Sequence, residues 1–197
     1  MELKSNFKPK YEKNCNLYNT IPMSGVLLHL DKCCIELNAD KISACDWNPL
    51  IDTIGSDHSL AYISIRSYYR SQNSTMRSSH LLPAIYDKNL LHRLCSAIAS
   101  SISKAKHLRC LILQGLPLDR RDIAILAQGL KENQTIRQLS FEGSSLGDSG
   151  IFRLVPILRD KVELFWLNVT SCRITETGAI RLCDLVQVCF YITIKVD

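Results

Sequence analysis

Three stretches of this chain carry one apolar pattern, and their starting positions, 108, 136 and 164, are evenly spaced. They read Leu108-Arg-Cys-Leu111-Ile-Leu113, Ile136-Arg-Gln-Leu139-Ser-Phe141 and Leu164-Phe-Trp-Leu167-Asn-Val169. The period is therefore 136 − 108 = 164 − 136 = 28 residues. Taking each first position and those 3, 5, 10, 18 and 22 residues later, all 18 sites are apolar, the last being Leu130, Leu158 and Val186. With 46% of the chain apolar, chance would give this about once in a million trials, so the periodicity constrains the fold. A unit this short cannot bury its own apolar face, so copies must stack and shelter one another.

The spacing is that of LxxLxLxx(N/C)xL, the leucine-rich-repeat signature, with Leu116, Ser144 and Cys172 at the polar or small site. It predicts an α/β solenoid: a partial horseshoe with parallel strands on its concave face and helices on its convex face. Strands are expected near 109–114, 137–142 and 165–170, and helices near 120–131, 149–159 and 176–188. Asp119, Asp148 and Thr175 stand where helix caps belong. Pro156 falls inside the second helix, where it removes a hydrogen bond and should kink it. Gly150 and Gly178 occupy equivalent sites and are expected to let helix and strand backbones approach closely.

Outside the regular repeats the pattern loosens. Residues 1–20 read as a disordered or loosely packed lead-in, made basic by Lys4, Lys8, Lys10 and Lys13; a solvated tail is favoured over one that touches nucleic acid or an acidic surface. Residues 21–107 read as irregular amino-terminal repeats acting as a cap. In that region Met23–Leu30 suggests a short helix. Cys34–Ala39 and Leu60–Ile65 alternate like strands, and Asp46 and Pro49 sit near the start of a helix. Residues 67–80 have no acidic and almost no aliphatic side chain and read as an exposed loop. Pro83-Ala-Ile85 suggests a short strand, and Leu90–Ser103 an amphipathic helix. Residues 108–186 are the three regular repeats. Residues 187–197 are atypical, with β character and an abrupt end, which reads as a truncated isoform or an incomplete gene model.

Strand alternation assigns an exposed face. It carries Cys110, Ile112 and Gln114, then Gln138, Ser140 and Glu142, then Trp166, Asn168 and Thr170. These nine are the expected protein-binding residues, and Trp166 and Ile112 are unexpected on a merely solvated surface, since Trp is enriched at interaction hot spots. The competing reading of Trp166 is packing against the carboxyl-terminal segment.

No catalytic constellation is visible. GxxxxGK[ST], GxGxxG and HExxH are all missing. His29, Cys33, Cys34 and Cys45 cluster, but no CxxC pair occurs, and adjacent cysteines chelate a tetrahedral ion poorly. The nine cysteines, without an apolar leader in the first 20 residues, are expected as reduced thiols packed like small hydrophobes. The sequons at Asn73, Asn133 and Asn168 then carry no glycosylation argument. The longest apolar run, near Val186–Ile194, is far short of the roughly 18 residues that cross a bilayer. Neither an enzyme, a metal or cofactor site, a membrane anchor nor a nucleic-acid binder is expected.

The period belongs to the ribonuclease-inhibitor-like class of repeat. A more specific likeness rests on Leu37-Asn-Ala-Asp-Lys41, Asp46-Trp-Asn-Pro-Leu50, Ile63-Ser-Ile-Arg66, Leu82-Pro-Ala-Ile85, Ile125-Leu-Ala-Gln-Gly-Leu130 and Leu146-Gly-Asp-Ser-Gly150. In this order they resemble the amino-terminal leucine-rich region of the centrosomal protein of 78 kDa family. The resemblance implies a non-enzymatic cytoplasmic scaffold of the centrosome, centriole or cilium base. It implies partners that are other proteins, centriolar or ubiquitin-ligase components, in centriole regulation and cilium assembly. It departs from the family after three regular repeats, without the later coiled coil and long disordered region. Two alternatives share the repeat class. A Ran GTPase-activating protein would have more repeats and an acidic tail; a ribonuclease-inhibitor-like module would have a longer array.

Overall fold

The computed structural model describes residues 5–69, 82–161, 163–188 and 192–196, with the backbone alone at 187 and 188. Within it, Leu111 pairs with Leu139 and Leu139 with Leu167 across parallel strands, so the repeated leucines stack side by side. Six strands form one sheet in sequence order: β1 Cys34–Asn38, β2 Tyr62–Arg66, β3 Cys110–Gln114, β4 Gln138–Ser140, β5 Trp166–Asn168 and β6 Thr193–Lys195. Every pairing is parallel. The helices that carry the chain back are α3 Ala44–Ser56, α4 Lys88–Lys104, α5 Arg120–Glu132, α6 Gly147–Leu158 and α7 Glu176–Val188, preceded by α1 Phe7–Leu17 and α2 Ser24–Leu27. Each of α3 to α6 packs on the next, and α1 packs on α3. The result is a solenoid-like α/β repeat.

Its core is the repeated pattern made physical. Of the repeated apolar sites, all are buried except Ile174, half-buried, and Val186, 50% exposed, both in the last repeat. The turn after each strand repeats as well. Gly115, Gly143 and Ser171 all have left-handed backbone, φ 67, 67 and 55°. At the polar site the Ser144 hydroxyl donates to the Leu113 carbonyl at 3.0 Å and the Cys172 thiol to the Phe141 carbonyl at 2.9 Å. Each small polar side chain thus satisfies a buried carbonyl of the repeat before it.

A second ladder ties the helix ends. The Asn133 side-chain amide donates to the Ile102 and Ala105 carbonyls at 2.9 and 3.2 Å. One repeat later, Lys161 donates to the carbonyls of Lys131 and Asn133. Orphan carbonyls at a helix carboxyl end need such donors. Lys161 is only 4% exposed, and burial pushes its ammonium below the usual lysine range.

Several expectations need correction. Residues 7–17, expected in a loosely packed lead-in, are helix α1, with Phe7, Tyr11 and Cys15 at most 1% exposed. These three recur every four residues, a stripe that flanking lysines dilute in any average of hydropathy. The cap of α3 is Ser43, whose hydroxyl accepts from the Asp46 amide at 3.2 Å; Pro49 lies in the second turn, buried. Within the Asp-Trp-Asn-Pro-Leu element, Trp47 and Leu50 are fully buried. The expected helix over Met23–Leu30 is α2 followed by a separate 3-10 turn, Leu30–Lys32. Ala84–Tyr86 is likewise a 3-10 turn, not a strand.

Asp148 does not cap α6. It reaches the next repeat, accepting from the Thr175 amide at 2.8 Å and the Thr175 hydroxyl at 2.6 Å, which holds its carboxyl below the usual range. A Cβ on Gly178 would meet that carboxylate at 2.4 Å. On Gly150 it would meet the Leu146 side chain. Neither glycine marks the expected approach of a helix backbone to a strand. The real close approach is helix to helix: a Cβ on Gly129 would lie 2.6 Å from the Ala99 carbonyl oxygen.

Candidate functional site

Along each strand alternate side chains face opposite ways. One set, Ile35, Ile63, Leu111 and Leu139, is 0% exposed under the helices. The other set faces away from them and forms rows across the sheet. The first row runs Cys34, Tyr62, Cys110, Gln138, Trp166, Thr193. The second runs Glu36, Ser64, Ile112, Ser140, Asn168, Lys195. A shorter third row holds Asn38, Arg66 and Gln114, with Glu142 and Thr170 beyond the last paired residues of their strands.

All nine residues assigned to the face from alternation fall on these rows, but they are not equally accessible. Ile112, Gln114, Gln138, Glu142, Trp166 and Thr170 are half-buried. Cys110, Ser140 and Asn168 are buried, at 5%, 2% and 2% exposure. Neighbouring strands lie about 5 Å apart, so a small side chain between larger ones is overshadowed. Burial also pushes the Cys110 thiol up to about 11, which makes it an inert floor residue. Trp166 is half-buried rather than fully exposed, and Thr193 of β6 is its cross-strand neighbour.

Electrostatics on the face are local. Glu142 accepts from the Asn168 amide at 2.7 Å and from Gln114 at 3.4 Å, and Asn168 in turn accepts from the Thr170 amide at 3.0 Å. This network fixes three of the nine side chains across neighbouring repeats.

The first two strands were expected, but the face was assigned from the regular repeats alone, which leaves out Glu36, Tyr62, Ser64 and Arg66 of β1 and β2 on the same face. The sequence signal was present, since both segments alternate. Alternation also missed a cleft of about 360 Å³ at the carboxyl ends of the strands, lined by Ser67, Tyr69, Tyr86, Gln114, Glu142 and Arg173. Ser67, expected in the exposed loop, is only 5% exposed and donates to Asp40 at 2.6 Å. Tyr69 and Tyr86 meet edge-on, their centroids 5.2 Å apart. The rest of the expected loop, from residue 70, lies outside the described residues.

Among the described residues no group of three or more His, Cys, Asp or Glu side chains could hold a metal ion. No described helix is long and apolar enough to cross a membrane.

Helices on one face of a stacked parallel sheet, with the other face open, define a solenoid-like repeat protein. No family model matches the sequence. The human centrosomal protein of 78 kDa is 30% identical over 191 residues, covering 93% of this chain and 27% of that protein. The mouse protein of the same name is 28% identical over 202 residues, covering 97% and 25%. The Cep78 homolog of Drosophila melanogaster is 29% identical over 164 residues, covering 78% and 20%. A solved protein from Bacteroides fragilis is a distant likeness, with a TM-score of 0.46 and 12% identity over 83% of this chain and 40% of that one. The chain belongs to the centrosomal protein of 78 kDa family, and is a centrosomal protein. It spans about a quarter of the length of the curated relatives it matches.

Proposed function

We propose that this chain is a leucine-rich-repeat horseshoe that acts as a non-enzymatic scaffold, holding another protein against the open face of its sheet. What carries the reading is that sheet: six strands in register, helices on one side, half-buried side chains on the other. Half-buried Trp166 and Ile112 supply apolar anchors, while the Glu142 network supplies fixed polar groups. Kinship with centrosomal proteins supports a setting at the centriole or cilium base, in centriole regulation and cilium assembly. Centriolar or ubiquitin-ligase components are the partners the resemblance implies, and neither nucleic acid nor membrane is part of the reading.

The test is tagged chain in ciliated cells beside a centriole marker, as wild type and as Trp166→Ala and Leu139→Ala. Wild type is expected at the centriole. The Trp166 variant should melt within a few degrees of wild type and become diffuse; the Leu139 variant should unfold. A folded Trp166→Ala chain that still concentrates at centrioles would overturn the assignment of the face.

A further inference from the structure

The loops entering the strands form the edge of the sheet opposite the cleft, and they gather cations. Lys104 ends α4, Lys106 and His107 lead into β3, His58 leads into β2, and Lys10 comes from α1. Together with Asp57 they line an open depression of about 450 Å³. Asp57 is its one acidic lining residue, and it is consumed internally. It is 0% exposed, pairs with Lys10 at 3.3 Å, and accepts from the Ser59 amide and hydroxyl at 2.9 and 2.8 Å. Lys10 is further held by the Ser56 carbonyl at 2.8 Å. Lys104 and Lys106, by contrast, are exposed and have no acidic partner among the described residues. The His58 Nδ1 atom is shielded from solvent and has no hydrogen-bond partner. Three lysines against one carboxylate leave an excess of 3 − 1 = 2 positive charges with both histidines neutral.

We propose that this depression is a docking surface for an acidic peptide segment of a protein partner, with separate carboxylates pairing Lys104 and Lys106 at its rim. The alternatives fit less well. The cations are point charges on different elements, not an arginine fork or a run of backbone N–H groups converging on one phosphate. No Phe, Tyr or Trp lines the depression, so bases have no platform on which to stack. None of the exposed large apolar side chains lines it, so a membrane has nothing to bury. The surface lies around the edge from the sheet face and stands independently of the role proposed for that face.

The experiment is fluorescence anisotropy of the full chain with a labelled short peptide of alternating glutamate and serine. Its glutamine counterpart, a single-stranded oligonucleotide and phosphatidylserine vesicles serve as competitors. The glutamate peptide is expected to bind and to weaken as salt rises. Lys104→Glu with Lys106→Glu should reduce affinity at least about tenfold, while Arg120→Glu, an exposed site at the start of α5 on the opposite edge, leaves it unchanged. Circular dichroism melts confirm folding. If the charge-reversed chain does not fold, Lys104→Gln with Lys106→Gln makes the same comparison with a smaller effect. Three results would each overturn the proposal: no binding at low salt, binding that the folded double variant retains, or tighter lysine-dependent binding of the oligonucleotide or vesicles.

Discussion

One added methyl group at Gly115 would meet the Ser67 carbonyl oxygen at 2.2 Å, and the backbone there has φ 67°. Both effects oppose alanine. The left-handed conformation alone costs an ordinary residue about 1–2 kcal/mol, and Ser67 backbone has to move as well. Gly115→Ala is expected to destabilise by at least about 2 kcal/mol in urea melts. The same turn one and two repeats on is held by Gly143 and by Ser171, whose φ is 55°. Lys161 poses the opposite question, since its removal leaves acceptors rather than space. Lys161→Met strips a donor from the carbonyls of Lys131 and Asn133. A loss of about 1–3 kcal/mol in urea melts is expected.

At the scale of elements, α5 and α7 start in different ways. Helix α5 carries its own capping box, Asp119 with Asp122, and its place was legible in the sequence because the signal is local. The start of α7 is braced by Asp148 of the preceding repeat, a bond across 175 − 148 = 27 residues that no local rule reveals. The same division runs through the molecule. Strands β3, β4 and β5 were legible because the apolar sites recur in phase, whereas α1 was hidden because its three buried residues sit among lysines. On the candidate face, alternation assigned the right rows. Which residues stay accessible depends on the bulk of the neighbour across the strand, so Cys110, Ser140 and Asn168 could not be separated from Trp166 in advance. The Asp148 brace has a pH signature. Bonds from Thr175 hold its folded-state carboxyl below the unfolded value of about 3.9. Its stabilisation is then fully present above that value and lost as pH falls through the folded one. Asp148→Asn should lower the melting temperature at neutral pH, and the gap from wild type should close in acid. A constant gap would mean that the carboxylate charge is irrelevant.

At the scale of the whole chain, the stacking of units makes stability a sum of neighbour terms, so a lesion should act from where it is placed. Phe7 and Leu139 make the comparison, both 0% exposed, one in the first helix and one in the fourth strand. Alanine at either is expected to cost about 2–5 kcal/mol. The consequences should differ in location. Phe7→Ala loosens α1 from α3, and hydrogen exchange should accelerate first through residues 7–56 while β4 and β5 stay protected. Leu139→Ala sits between Leu111 and Leu167, and it should raise exchange on both sides together because both interfaces lose the same side chain. Mass-spectrometric hydrogen exchange resolves the two patterns. If both variants raise exchange uniformly along the chain, the protein unfolds as one cooperative block. The nearest-neighbour account would then have to give way to a single indivisible core, in which a lesion under the sheet face and one at the amino-terminal cap have the same effect.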